Sequence, residues 1–256
     1  MQPSISIINK SQLEEGRLDA EFYQPIFLQN KKSVSDTEND SLGNLTSKIV
    51  VGYVSSMVSQ YTDDGVDLLQ TRNVAEFFVK TDEVIKINPE FHQKLKKSQV
   101  KKGGILVARS GSFGNASLYL DDETINSADI IIVEADKDKI NPFYLTAFLN
   151  SQKGKLQLYR FASGGLQGHV NTTILHNLKI SKATDKIERA IQELIIKSYE
   201  AKTSSEKILR DTNNLLMKNL GFDSFVPSKV NYSSRNYQDY LGSNRLDGEY
   251  WLPKYD

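Results

Sequence analysis

The stretch KIERAIQELIIKSYEAKTSSEKILRDTNNLLMKNL, residues 186–220, determines the architecture of this chain. Steps of alternately four and three residues from Ile187 connect apolar or small side chains, and neither proline nor glycine occurs before Gly221. This heptad pattern predicts one uninterrupted helix of roughly 50 Å, since each residue adds about 1.5 Å. The apolar members of the predicted heptad seam are Ile187, Ile191, Leu194, Ala201, Ile208 and Leu215.

A helix of this length needs a partner for its apolar stripe. Isolated helices are only marginally stable in water, and helices in proteins gain most of their stability when an apolar face packs on another element. Ser198, Ser205 and Thr212 thin the middle of the heptad seam, where small side chains let a second helix approach closely. We therefore expect a coiled coil with another chain. A helix lying on its own domain is the alternative.

The composition places the chain among ordinary globular proteins. It has 256 residues, of which 39% are hydrophobic and 25% are charged, so we expect one large domain with an appendage or two small domains. Lys and Arg together number 32, as do Asp and Glu, so the formal net charge is zero. The overall charge therefore does not indicate binding to a nucleic acid or a membrane. A nucleic-acid surface would have to be a local patch.

Cysteine is absent, which excludes disulfides, iron–sulfur sites and thiol catalysis and fits a cytoplasmic protein. The start of the sequence does not resemble a signal peptide, and no window approaches 18 continuous apolar residues, so we expect no membrane association. His92, His169 and His176 lack the spacing of metal ligands, and we expect no bound metal.

The body of the chain reads as an α+β fold. Short β-branched and aromatic runs between glycine, serine and aspartate are typical of strands and turns. Residues 88–97 predict a short helix, and Asn141 followed by Pro142 predicts a helix that extends to about residue 161. Residues 29–41 are polar and predict a linker. The expected divisions are a strand-rich domain at 1–181, a long coiled-coil helix at 182–221 and a C-terminal segment at 222–256.

The C-terminal segment repeats a pattern from the start of the chain. Residues 17–27 read RLDAEFYQPIF and residues 245–255 read RLDGEYWLPKY, so five positions are identical and three more keep an aromatic ring. Internal similarity of this kind indicates a repeat architecture. We expect the chain to be half of a tandem arrangement.

No stretch of the sequence carries a convincing catalytic motif. The glycine-rich residues 103–114 lack the Gly-Lys-Ser/Thr of a phosphate-binding loop. Residues 141–144, NPFY, resemble the Asn-Pro-Pro-Tyr/Phe of amino-methyltransferases, but the second proline and a preceding glycine-rich cofactor-binding segment are missing. We therefore predict no catalytic residues.

Several loops carry side chains suited to binding DNA. Lysine and serine contact phosphates, whereas arginine pairs with guanine and asparagine or glutamine with adenine. A solvated lysine-rich face is the alternative for the basic run at residues 94–102. The predicted DNA-binding residues are Lys48, Tyr53, Ser55, Gln70, Arg72, Asn73, Lys101, Lys102, Arg109, Ser110, Ser112, Gln167 and His169.

These features resemble the DNA specificity (S) subunit of type I restriction-modification systems, over nearly the whole chain. Two departures matter: Gly103-Gly104 stands where the family usually has Gly-Asp, and whole S subunits carry two recognition domains whereas this chain carries one. The stretches that match are RLD at 17–19 with the Phe-Tyr-Gln-Pro that follows at 22–25, the opening from 42–43 to 52–53, LQTRNV at 69–74, VKKGGILVARSG at 100–111, NPFYL at 141–145 and SGGLQ at 163–167.

The resemblance implies a non-catalytic subunit. Its recognition domain would read one half of a split site in double-stranded DNA, and its helix would set the spacing and dock methyltransferase (modification) subunits. Those partners would methylate adenine and would bind S-adenosylmethionine, ATP and Mg²⁺, so this chain needs no cofactor; a restriction subunit could also join. A chain with one recognition domain is similar to half-S subunits, which implies a homodimer with antiparallel helices.

Two other functions fit the residues. The chain could be an enzyme fragment, a DNA methyltransferase or a nuclease, whose catalytic residues are not recognised. It could also be a coiled-coil scaffold that does not bind DNA.

Overall fold

The structure is a computed structural model that describes residues 5–14, 16–110, 114–162, 170–222, 232–245 and 247–253. The chain forms two compact units, Met1–Tyr199 and Glu200–Asp256. The division falls inside the long helix, because the first turns of that helix pack on the first unit. The α+β class predicted from the sequence is confirmed.

Seven α-helices occur in the described residues. They are α1 (Pro25–Ser35), α2 (Pro89–Lys94), α3 (Pro142–Asn150), α4 (Gln152–Ala162), α5 (Thr172–Asn177), α6 (Asp185–Asn219) and α7 (Tyr237–Ser243).

Twelve strands occur in the same described residues. They are β1 (Asn39–Ser41), β2 (Thr46–Val51), β3 (Tyr61–Thr62), β4 (Val66–Leu69), β5 (Phe77–Phe78), β6 (Ile85–Ile87), β7 (Gln99–Val100), β8 (Ile105–Ala108), β9 (Ala116–Leu118), β10 (Ile125–Ser127), β11 (Ile130–Ala135) and β12 (Lys179–Ser181).

The strands of the first unit form two five-stranded sheets and one small pair. The outer sheet has the order β3-β6-β4-β10-β7, the central sheet has the order β2-β11-β8-β9-β5, and β1 pairs with β12. Pairing is antiparallel except between β4 and β10 and between β5 and β9. The unit is therefore a mixed α+β domain with two stacked sheets.

The central sheet is buried on both faces. Ile131 and Val133 of β11 pack in the core on one face of the sheet, which also contains side chains of helices α3, α4 and α5. Ile130 and Ile132 pack in a second core, together with residues of the outer sheet such as Leu69 and Val100. Because side chains alternate along a strand, burial on both faces explains the continuous apolar run in the sequence.

The prediction of a linker at residues 29–41 was wrong. Helix α1 begins at Pro25 and ends at Ser35, and β1 begins at Asn39 after three residues. Val34 is buried, and the Asn30 amide donates a hydrogen bond of 3.0 Å to the carbonyl of Lys153 in α4. A single buried apolar side chain in a polar stretch is too weak a periodic signal to predict a helix.

The predicted helix start at Asn141 is confirmed. The Asn141 side chain accepts a hydrogen bond from the amide of Phe143 at 2.9 Å, and Pro142 is the first helical residue. The helix is interrupted at Ser151, however, and α4 begins one residue later. A Cβ at Gly154 would collide with the carbonyl oxygen of Phe148, so glycine is needed where α4 begins.

The first turns of α6 are fixed to the first unit. Gln192 Oε1 accepts a hydrogen bond of 2.6 Å from the Asn141 amide, Ile195 is buried, and Tyr199 donates to Asp121 Oδ1 at 2.5 Å. Ile191, a predicted member of the heptad seam, also packs against the core of this unit. For the first turns of α6, the alternative prediction of a helix that lies on its own domain is therefore correct.

Most of the heptad seam is exposed to solvent. Relative exposure is 50% for Ile187, 66% for Leu194, 61% for Ile208 and 62% for Leu215. Ala201 is also exposed. The predicted long helix is thus confirmed, and it carries an apolar stripe that the described residues of the chain leave uncovered.

Candidate nucleic-acid interface

Three of the predicted DNA-binding loops converge on Asp129. The backbone amide of Asp129 donates to the carbonyl of Tyr53 at 3.0 Å, and its own carbonyl accepts from the Thr71 hydroxyl at 3.1 Å. Its carboxylate forms an ion pair with Arg109, with 2.5 Å between Oδ1 and Nη1. Loops distant in sequence therefore meet at one residue between β10 and β11.

Val170, the residue that follows the fourth predicted loop in the sequence, lies at the same place. Its amide donates to the carbonyl of Arg109 at 3.2 Å. Gln167 and His169 themselves lie outside the described residues, as does Ser112. We call Tyr53, Thr71, Arg109, Asp129 and Val170 the loop junction.

Arg109 is the cation of the loop junction. Its side chain is 25% exposed, and its Nε is buried without a hydrogen-bond partner among the described residues. A buried guanidinium N–H without a partner is costly, and arginine presents several donors in a fixed plane. The exposed part of the guanidinium is therefore suited to an additional acceptor, such as a phosphate or a base edge, whereas the buried Nε is not accessible to one.

A second feature is a lysine-lined cleft with a volume of about 540 Å³. Its lining residues, which we call the lysine cleft, are Lys48, Gln93, Lys96, Gln99, Lys101 and Glu134. Lys48 and Glu134 lie opposite each other on β2 and β11 and form an ion pair at 2.8 Å. Lys96 and Lys101 are exposed and have no ion pair within the described part of the chain. The cleft thus presents uncompensated positive charge.

A polar network holds the wall of the lysine cleft in place. The His92 ring lies between the amides of Gln99, at 3.4 Å, and Asn126, at 3.2 Å, and Gln99 also donates to the His92 carbonyl at 3.2 Å. Asn126 is buried and accepts from the Ser98 hydroxyl at 2.5 Å. Burial lowers the pKa of His92. The network therefore favours the neutral imidazole.

Two other predicted DNA-binding residues are less available to contact DNA, because one is buried and one is already paired. Asn73 is 1% exposed; its side chain accepts from the Gln70 amide at 2.9 Å and donates to the Lys80 carbonyl at 3.1 Å. We therefore exclude Asn73 from the candidate interface, because its amide already holds the turn together. Lys102 pairs with Asp122 at 2.7 Å.

Arg72 is exposed and donates to the carbonyl of Glu83 at 3.0 Å, next to the turn at Thr71. Tyr53 packs edge-on against Phe91 with 5.8 Å between ring centroids. Ser55 is exposed and Ser110 is half-buried. Tyr53 belongs to the loop junction, and Arg72, Ser55 and Ser110 lie within two residues of its members in the sequence. None of the four side chains lines the lysine cleft.

Sequence reasoning missed several residues of the site. Gln93 immediately precedes the basic run at residues 94–102 and Gln99 lies within it, and this proximity to the lysines could have indicated them. Asp129 carried no usable signal, because its role depends on φ = 55°, a left-handed backbone conformation, and on partners distant in sequence.

The described residues contain neither a metal-binding cluster nor a helix that could span a membrane. No group of three or more His, Asp or Glu side chains there is arranged to hold a metal ion. None of the helices described is both long enough and apolar enough to cross a bilayer.

A family model described as "Type I restriction modification DNA specificity domain" matches residues 29–212. This match includes both sheets, the lysine cleft and most of α6. No curated protein matches the chain.

Solved structures show similarity at low sequence identity. One is a chain of a type I R-M system studied for complex assembly and conformational transition, with 13% identity and a TM-score of 0.48; the match covers 76% of this chain and 48% of that chain. The HsdS subunit from Thermoanaerobacter tengcongensis has 12% identity and a TM-score of 0.46, with 74% and 47% covered. The chain therefore spans about half the length of these relatives.

The type IIG restriction endonuclease BpuSI has 10% identity and a TM-score of 0.52, and the match covers 68% of this chain and 28% of that chain. At this identity the likeness concerns the fold alone.

Proposed function

Because the chain belongs to the family of type I restriction modification DNA specificity domains, we propose that it is a sequence-specific DNA recognition subunit that reads one half of a split site. The observation that carries this proposal is the convergence of the predicted loops on Asp129. A set of loops held at one point by hydrogen bonds and an ion pair can present several side chains to one DNA groove. The lysine cleft supplies positive charge for the phosphate backbone.

The chain acts without catalysis of its own. Methyltransferase subunits bring S-adenosylmethionine and methylate adenine at the site that this chain selects, and ATP and Mg²⁺ belong to partner subunits. A restriction subunit joins where the system also cleaves DNA. The candidate interface supports this assignment because it offers hydrogen-bond donors and cations, which suit binding.

The complex contains two copies of the chain with antiparallel helices. Exposed Leu194, Ile208 and Leu215 support this arrangement, since a regular apolar stripe on a long helix is buried in a coiled coil. A symmetric pair would present two recognition domains and would read a symmetric split site.

Charge reversal in the lysine cleft tests DNA recognition. Lys96→Glu and Lys101→Glu should each weaken binding to duplex DNA and lower the salt dependence by about 0.9 per lost phosphate contact. Lys137→Glu is the matched control, because Lys137 is exposed and lies outside the lysine cleft. Affinity should be measured by fluorescence anisotropy between low and moderate salt.

Each outcome separates the alternatives. Equal affinity and salt slope for the lysine-cleft variants and the control would favour the scaffold that does not bind DNA. Methyl transfer or cleavage by the purified chain alone, with Mg²⁺ and S-adenosylmethionine present, would favour the enzyme. Weaker binding by the two lysine-cleft variants than by the control, with no methyl transfer or cleavage, is the result that we expect.

A further inference from the structure

The two copies of the repeated sequence fold in the same way. In both, the arginine forms a two-pronged ion pair with the aspartate two residues later; the Nη2–Oδ2 distance is 2.7 Å for Arg17 and Asp19 and 2.6 Å for Arg245 and Asp247. The second nitrogen, Nε, donates to the other carboxylate oxygen in each copy. We call residues 17–25 the N-terminal module and residues 245–253 the C-terminal module.

The aromatic residues of the two modules also match. Phe22 and Tyr23 form an edge-to-face pair with centroids 5.0 Å apart, and Tyr250 and Trp251 form one at 4.9 Å. The arginine lies over the first ring of each pair, at 4.5 Å in the N-terminal module and 4.7 Å in the C-terminal module.

Even the polar tip of the second aromatic residue has the same partner. The Tyr23 hydroxyl donates to the carbonyl of Arg17 at 3.1 Å, and the Trp251 indole N–H donates to the carbonyl of Arg245 at 2.8 Å. Different side chains thus make the same local hydrogen bond. The modules are therefore equivalent as folded units, beyond their sequence similarity.

The N-terminal module is seated on the end of α4. Arg160 Nε donates to the carbonyl of Phe22 at 3.1 Å, and its guanidinium carbon lies 4.0 Å from the Phe22 ring centroid. Arg17 donates to the carbonyl of Phe161 at 3.2 Å, and the Phe161 ring packs against Phe22 at 5.7 Å. Phe22 is fully buried and Tyr23 is 5% exposed. We call Arg160 and Phe161 the module seat.

The C-terminal module is more exposed to solvent than the N-terminal module. Tyr250, the counterpart of Phe22, is 45% exposed, and Trp251 is half-buried. The module seat binds a backbone carbonyl, an arginine and an aromatic ring, all of which the C-terminal module also has. Its chemistry therefore fits a second module of the same kind.

We propose that the C-terminal module of one chain binds the module seat of a second copy of the chain in place of that copy's N-terminal module. The long helix gives the reason for a second copy. In an antiparallel pair, the last turn of one helix lies beside the first turn of the other, and α6 begins in the unit that contains α4. The C-terminal module follows α6 and is thereby carried toward the seat of the partner. The inference rests on the proposed pairing of two chains, and it requires no DNA.

The single tryptophan of the chain, Trp251, gives a direct readout. Seating would bury Trp251 as Tyr23 is buried now, and burial shifts the fluorescence to shorter wavelength and reduces quenching by acrylamide. The N-terminal module should be weakened with Arg17→Ala/Asp19→Ala, so that its seat becomes available. In this full-length variant we expect a several-fold fall in quenching of Trp251 as protein concentration rises through the range of dimer formation.

Two controls define the contact. Arg160→Met added to the same variant should restore quenching, because the module seat is then lost. Arg245→Ala/Asp247→Ala should do the same from the other side. Circular dichroism checks that each variant folds, and Phe22→Leu is the milder change that opens the seat if Arg17→Ala/Asp19→Ala does not fold.

The outcomes decide the proposal. Protection of Trp251 that does not depend on concentration would mean seating within one chain and would overturn the exchange between copies. No protection at any concentration would overturn the seating itself. A dimer observed by sedimentation with an unprotected Trp251 would overturn this inference and leave the proposed pairing intact, and DNA-binding measurements are independent of both.

Discussion

Arg109 and Asp129 form an ion pair, with Nη1 2.5 Å from Oδ1, that joins the loop after β8 to the residue between β10 and β11. Asp129 adopts φ = 55° there, a conformation that aspartate tolerates better than most residues. The left-handed turn lets its amide, carbonyl and carboxylate point to three different loops. The loop junction therefore depends on both the backbone and the side chain of Asp129.

Substitutions at Asp129 separate these two contributions. Asp129→Asn keeps the turn and loses the charge, so it should lower the free energy of unfolding by about 0.5 kcal/mol, as for a partly exposed ion pair. Asp129→Ala also disfavours the left-handed conformation and should cost about 1 kcal/mol more. Asp129→Gly is the control for the backbone. Urea unfolding that ranks Ala equal to Gly would show that the left-handed turn carries no strain.

The sequence was sufficient to predict the elements whose signals are local. The asparagine cap at Asn141 and the heptad pattern of α6 each depend on neighbouring residues, and both elements are present in the structure. Local hydrogen bonding and periodic burial cause both the pattern and the element. Prediction therefore succeeded where cause and signal lie within a few residues.

The candidate site depends on contacts between residues distant in sequence, which one sequence does not reveal. Asn73 has the residue type of a base reader, yet it serves as the internal support of a turn because Lys80 and Gln70 are its neighbours in space. Helix α1 was missed because its periodic signal is weak and because a contact distant in sequence, from Asn30 to Lys153 in α4, helps to hold it. Which of the loop residues contact DNA stays a prediction.

His92 predicts a pH dependence of stability. Burial lowers its pKa in the folded chain, so the unfolded chain binds a proton more readily below the ordinary value of 6.5. The stabilising contribution is present above pH 6.5 and is lost as pH falls through the lower, folded-state pKa. Urea midpoints measured between pH 7.5 and 5.0 should fall less steeply for His92→Gln. An unchanged slope would mean that other groups cause the acid sensitivity.

The heptad seam predicts an effect of Leu215 on dimerisation. Leu215 is 62% exposed in the chain and would be buried in a coiled coil. Burial of a leucine contributes about 1.5–3 kcal/mol, and the symmetric pair contains two, so Leu215→Lys should raise the dissociation constant by about 100-fold or more. Asn213→Lys adds the same charge at an exposed position off the heptad seam. Sedimentation that finds both variants equally dimeric would exclude this face as the interface.

The length of α6 should determine the gap in the recognised DNA site if two antiparallel copies hold the recognition domains apart. Repeating residues 199–205 once adds seven residues, which preserves the heptad seam and lengthens the helix by about 10 Å. Since DNA rises about 3.4 Å per base pair, the gap between half-sites should grow by about three base pairs. Mapping of methylated adenines in cells that express this chain with its neighbouring methyltransferase measures the gap. A four-residue insertion disrupts the seam and should abolish methylation, whereas an unchanged gap after the seven-residue insertion would show that α6 does not set the spacing.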